Sequence, residues 1–149
     1  RMNELQAALG IAQMKKIKIF LKKREANFYL LKNLIQKIKY IKVIETGNFK
    51  NFKSSFYALA IKLEGKLKNK RYEIIEELKN KGIGTSIYYP KIITDLQYYK
   101  KKYSIKNENF KNAMKISYNS ITLPVGPHIK SKDIKFMYNN IKKIVESIY

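Results

Sequence analysis

The chain has 149 residues, enough for one domain with its own core, and its 45% hydrophobic and 13% aromatic content is that of a globular protein, not a disordered one. No apolar run approaches the roughly 20 residues of a membrane span, no charged-then-apolar leader pattern opens the sequence, and the lack of cysteine excludes disulfides and thiolate sites, so a cytoplasmic domain is expected. The formal charge of +21 invites a nucleic-acid reading, but 29 of the 32 basic residues are lysine, and only Arg1, Arg24 and Arg71 carry the planar fork that grips phosphate and guanine. Lysines such as Lys15, Lys16, Lys22, Lys23, Lys142 and Lys143 fall on the polar faces of predicted helices, where long charged chains lie in water. Nucleic acid is therefore not the expected partner, although such a surface would attract a nucleotide diphosphate.

The first forty residues read as one long helix. Met14, Ile17, Leu21, Phe28, Leu31, Ile35 and Ile38 recur at spacings of three and four or their sums, with Arg24 filling a gap in the stripe. Ala7, Ala8, Gly10 and Ala12 are small and suit close helix packing. Leu5 and Leu9 have no obvious cover in the rest of the sequence. A helix of this length is expected to act as a spine between two bodies.

Val43 and Ile44 suggest a short strand, and Gly47 to Lys53 a polar loop. From Ser55 to Leu63 the residues alternate, with Tyr57, Leu59, Ile61 and Leu63 on one face and Phe56, Ala58 and Ala60 on the other, which predicts an interior strand. A helix is predicted over 68–81, with Tyr72, Ile75 and Leu78 inward and Gly82 as its stop. A strand over 84–89 closes at Pro90. A Tyr- and Lys-rich stretch runs to Tyr103, a helix covers 109–117, and a strand over 121–123 ends at Pro124. Ser131 is read as the N-cap of a last helix, with Asp133 in its first turn and Ile134, Met137, Ile141, Ile144, Val145 and Ile148 on one stripe. The fold class is α/β: a few-stranded sheet packed with helices, preceded by a long N-terminal helix. Residues 1–40 are the connecting helix, and residues 41–149 the small α/β domain.

The catalytic inventory of the residues themselves is thin. His128 is the lone histidine, in a turn, with no second ligand for a metal. Glu73, Glu76 and Glu77 lie beside lysines on one helix, a solvated arrangement. Gly82-Ile83-Gly84 follows a helix, where a phosphate-binding fingerprint follows a strand. Composition and spacing stop at a soluble α/β domain.

Four blocks carry the reading further. Arg1-Met2-Asn3-Glu4-Leu5-Gln6-Ala7-Ala8-Leu9-Gly10-Ile11-Ala12-Gln13-Met14 resembles the N-x-R-M-x-x-x-Q-A-A-x-G-x-x-Q-L segment of the DegT–StrS nucleotide-sugar aminotransferases, fold-type I pyridoxal-phosphate enzymes. Lys23-Arg24-Glu25 followed by Tyr29 is similar to the continuation of that segment. The stretch from Arg71 through Lys79-Asn80-Lys81-Gly82-Ile83-Gly84-Thr85 to Tyr88-Tyr89-Pro90 resembles R-x-x-L-x-x-x-L-x-x-x-G-I-x-T…Y-P. Ile121-Thr122-Leu123-Pro124-Val125-Gly126-Pro127-His128, followed by Asp133, resembles the family's L-P-x-x-P…(E/D)D ending. The blocks stand in the family's order and span the chain.

The resemblance implies the small C-terminal domain of an aminotransferase that moves an amino group from an amino acid, commonly glutamate, to a nucleotide-linked keto-sugar. Pyridoxal 5'-phosphate would be the cofactor and a homodimer the assembly. The Schiff-base lysine and the large cofactor domain would lie ahead of the matched segment, so no catalytic residue is assigned here and the chain alone is expected to be inactive. Arg1 is the remnant of a contact with the neighbouring subunit's cofactor phosphate. Tyr88 and Tyr89 lie in the stretch that the resemblance places against the substrate, and Lys91 beside them is read as a further substrate contact, a positive charge suited to a diphosphate. Where many relatives continue P-L-H, this chain runs Lys91-Ile92-Ile93-Thr94, a departure that implies a different sugar preference. Two other readings remain at this point: a basic nucleic-acid-binding domain, and a non-catalytic relative that keeps only the fold.

Overall fold

The computed structural model describes residues 1–44, 51–103 and 107–148. Helices α1 (Glu4–Met14) and α2 (Ile17–Ile35) lead into β1 (Ile41–Val43), β2 (Ala58–Leu63) and α3 (Arg71–Asn80). Then come α4 (Gln97–Tyr103), α5 (Lys111–Asn119), β3 (Ser120–Pro124) and α6 (Ser131–Ile148), with short 3-10 turns between. The three strands form one antiparallel sheet in the order β1-β2-β3. The expected α/β domain with a few-stranded sheet is present, and β2 is interior as its pattern implied. Most of the expected loop over 47–53 lies outside the described residues.

The core forms where the apolar stripes converge. Leu59, Ile61 and Leu63 point inward from β2, Ile121 and Leu123 from β3, and Phe28, Leu31 and Ile35 from α2. On α6 the residues Ile134, Met137, Ile141, Ile144 and Val145 are buried along one face, as the 3.6-residue period predicts. Each large side chain removed from water in this way contributes about 1.5–3 kcal/mol before entropy is counted.

The expected single helix over 1–40 is two helices. It begins at Glu4, because Asn3 caps it: Asn3 Oδ1 accepts from the Gln6 N–H at 2.9 Å, and Gln6 Oε1 accepts from the Asn3 N–H at 3.1 Å. It is interrupted at Lys15–Lys16, where the Lys16 N–H bonds the Gln13 carbonyl three residues back at 2.9 Å. No proline is involved. α1 buries no residue that would hold the two segments in line. The longer segment, α2, has 19 residues against 18 for α6, so neither helix dominates.

Four other expectations change. In α3 the buried residues are Arg71, Ile74 and Leu78, Ile75 is half-buried, and Tyr72 stands 61% exposed. Before β2, Phe56 takes a left-handed φ of 46° and turns into the core against Phe28 at 5.0 Å, which leaves Tyr57 outside. The strand expected over 84–89 is a single bridge: Ser86 exchanges two backbone hydrogen bonds with Thr122, at 3.0 and 2.8 Å, before the chain bends away. Ser131 is the first residue of α6, and the side chain of Asp133 reaches back to accept from the Lys130 N–H at 2.9 Å. The Gly82 stop stands as read. At φ 73° its N–H bonds the Lys79 carbonyl while the Ile83 N–H bonds that of Leu78, closing α3 in a Schellman turn.

Candidate functional site

The stretch from Tyr88 to Thr94 owes its position to a buried polar relay. Arg71, only 3% exposed, donates to the backbone carbonyl of Ser117 on α5 and, through its other terminal nitrogen, to the Tyr72 hydroxyl at 3.1 Å. The Ser117 hydroxyl in turn donates to the Tyr89 carbonyl at 2.8 Å. Burying a guanidinium is costly unless it is hydrogen-bonded; both terminal nitrogens of Arg71 are bonded while its Nε–H is buried without a partner, and the bonds made hold α3, α5 and the tyrosine pair in one arrangement.

Beside the tyrosines lies a cavity of about 930 Å³, within the usual size range of small-molecule sites. Tyr88, Tyr89, Ile92, Phe110 and Ile116 give it aromatic and aliphatic walls, and Lys91 stands among them. The Tyr88 and Tyr89 rings meet edge to face with centroids 6.1 Å apart, Tyr88 half-exposed and Tyr89 largely so. Thr94, also in the wall, is buried, and its hydroxyl has no hydrogen-bond partner.

A second cavity of about 540 Å³ lies where α2 meets the end of β3, and Tyr88 belongs to the walls of both. Arg24, Tyr57, Ser86 and His128 line it. His128 is exposed in its turn, as expected. The wall is fixed in part by Asn27, which sequence reasoning missed. This buried amide on α2 donates to the carbonyls of Gly126 and Ile129, both at 3.0 Å, tying the helix to the turn after β3. An asparagine inside an apolar stripe was the available signal.

Tyr88, Tyr89 and Lys91 all line the larger cavity. Arg1 is not with them; it is exposed ahead of α1 and lines neither cavity. A pyridoxal cofactor needs an aldimine lysine, a polar partner for its ring nitrogen and a cradle of donors for its phosphate. In the larger cavity the one lysine, Lys91, is exposed, no carboxylate lines the wall, and the remaining lining is mainly apolar. The lining of this cavity does not supply those groups.

The sequence model of the DegT/DnrJ/EryC1/StrS aminotransferase family matches residues 1–142. The chain is 32% identical over 151 residues to the UDP-4-amino-4,6-dideoxy-N-acetyl-beta-L-altrosamine transaminase of Campylobacter jejuni, covering 99% of this chain and 38% of that one. An uncharacterized protein of Methanocaldococcus jannaschii is 31% identical over 147 residues, with 97% of this chain and 37% of that protein covered. Among solved structures, Helicobacter pylori PseC, an aminotransferase involved in the biosynthesis of pseudoaminic acid, superposes with a TM-score of 0.86 at 24% identity, over 99% of this chain and 38% of that one. Spr1654 of Streptococcus pneumoniae in its PLP form gives 0.88 at 22% identity, over 100% of this chain and 37% of that one. The chain belongs to the DegT/DnrJ/EryC1/StrS aminotransferase family, and it spans a little over a third of the length of the relatives it matches.

Proposed function

We propose that this chain is the C-terminal portion of a nucleotide-sugar aminotransferase that takes an amino group from an amino acid, glutamate in the first instance, and delivers it to a nucleotide-linked keto-sugar. The observation that carries the reading is the near-complete alignment of this chain with a transaminase of a UDP-linked amino sugar. The cavity at Tyr88 and Tyr89 supports it. Two flat aromatic faces with hydroxyls suit a base or a sugar ring, and Lys91 beside them suits a diphosphate, as a point charge with little selectivity.

Pyridoxal 5'-phosphate is the proposed cofactor of the whole protein, as electron sink for the amino transfer. Its lysine would come from a segment that the relatives carry outside the matched portion. Arg1 is proposed to reach the cofactor phosphate of a neighbouring subunit in a homodimer, with residues 1–40 connecting the two parts. The test is to express the chain in continuity with such a segment and follow amination of a UDP-4-keto-sugar with glutamate. Product that requires both substrates is expected. No product from a soluble, cofactor-loaded protein across a panel of nucleotide keto-sugars overturns the reading.

A further inference from the structure

A third cavity, of about 310 Å³, shares no lining residue with the other two. Lys62 on β2, Lys68 just after the 3-10 turn that follows β2, and Lys115 on α5 all line it, so three lysines from separate elements meet around one hollow. Glu64 is the one carboxylate of the wall, and it is already engaged, with Lys62 Nζ 2.7 Å from its Oε1. The bond from Lys62, reinforced by the charges of Lys42 and Lys68, holds the Glu64 carboxyl below its usual range. Lys42 stands directly opposite Lys62 in the β1–β2 ladder, a pairing of like charges that weakens a sheet. Lys68 and Lys115 form no ion pair among the described residues, whereas Lys142 on α6 has Glu146 of its own helix at 3.8 Å. Asn119 completes the wall. Its Oδ1 accepts from the Asn69 N–H at 3.2 Å and its amide donates to the Lys115 carbonyl at 3.2 Å, which ties α5 to the turn that carries Lys68.

We propose that this cavity binds a dianionic phosphate group, with Lys68 and Lys115 as anchors and Lys62 as a third cation. With one of the three lysine charges answered by Glu64, two remain, and a phosphate dianion balances them. Ammonium groups are compact point charges with three donors each, suited to the tetrahedral oxygens of phosphate and indifferent to the planar fork of a carboxylate. The volume is at the lower end of small-molecule sites and leaves room for phosphate with a small substituent. Helix α5 serves this cavity and the tyrosine cavity together, through Lys115 and Asn119 for the one and Ile116 and Ser117 for the other. The site is thus separate from the one proposed for the sugar nucleotide, and it does not depend on the aminotransferase reading.

The test adds sodium phosphate, glycerol 3-phosphate, sodium acetate or sodium chloride at matched ionic strength to the full chain at about pH 7.5, where the phosphate group is mostly dianionic. Backbone amide signals are followed by NMR. At least one of the two phosphates is expected to move the signals of Gly65, Lys68 and Asn119 saturably, and acetate and chloride are not. The tighter of the two distinguishes free phosphate from a phosphate monoester as the ligand. Lys68→Gln and Lys115→Gln should each weaken binding about fivefold or more, and Glu64→Gln, which removes the opposing charge, should tighten it about threefold. Lys18→Gln, which takes the same charge from an exposed position on α2, should leave the affinity within about twofold. No saturable shift with either phosphate, or equal saturation by acetate, overturns the proposal. Equal weakening by Lys18→Gln and Lys68→Gln overturns it as well, because the overall charge of the chain would then account for the binding.

Discussion

Helices α1 and α6 both carry large apolar side chains, yet one lies in the core and the other does not. On α6 five of them are buried against α2 and α3. On α1 none is, and Leu5, Leu9, Ile11 and Met14 remain 63–82% exposed. The difference is one of partners. The α6 stripe meets elements of the same chain, whereas α1 projects past its break at Lys15–Lys16 with its apolar residues uncovered. Exposed apolar surface of this extent is characteristic of a contact face. In the proposed function α1 would be covered by the cofactor domain and a twofold-related subunit.

The largest expected effect tests the buried side of this contrast. Phe28→Ala, which empties a site in the core that is 1% exposed, should cost about 3–5 kcal/mol in urea denaturation, while Leu9→Ala on α1 should stay within about 0.5 kcal/mol. Comparable losses from the two would abolish the distinction. Next comes the polar relay: Arg71→Ala should cost about 1.5–3 kcal/mol and alter the NMR signals of Tyr89. Arg71→Lys should recover only part of that, since a lysine cannot serve both the Ser117 carbonyl and the Tyr72 hydroxyl with a planar fork. Tyrosine signals that stay put in Arg71→Ala would separate the relay from the cavity. The smallest effect is expected on α1, where sedimentation of the chain should show self-association weakened by Leu9→Asp. A strictly monomeric wild type at high concentration would leave the exposed face without its proposed use.

Much of the fold was legible because it rests on local periodicity. The α6 stripe, the interior position of β2 and the glycine stop of α3 all follow from spacing and backbone preference. What was misread depends on distant partners. Tyr72 was read as inward, but Arg71 is the buried one of the two, because a carbonyl 46 residues away receives its guanidinium. Phe56 and Tyr57 exchange places because one left-handed residue resets the alternation, which the pattern of apolar residues does not record. The strand at 84–89 fails because pairing with β3 ends after one bridge. Of the site, the tyrosine pair was named from a family-like motif and Lys91 from its charge beside that pair. The cavity beside Arg24 was not, since its walls come from α1, α2, β3 and the turn at Gly84, far apart in the chain.

The central claim, that Tyr88 and Tyr89 face the sugar nucleotide, is tested most directly by Tyr89→Ala in the protein that carries the cofactor-binding segment. The two half-reactions should be measured separately, together with a thermal melt. The KM for the sugar nucleotide is expected to rise about tenfold, equivalent to roughly 1.4 kcal/mol of lost binding, with the amino-donor half-reaction and the melting temperature little changed. A parallel fall in both half-reactions, or a collapse of thermal stability without a specific change in sugar-nucleotide KM, would make Tyr89 a packing residue and contradict the assignment.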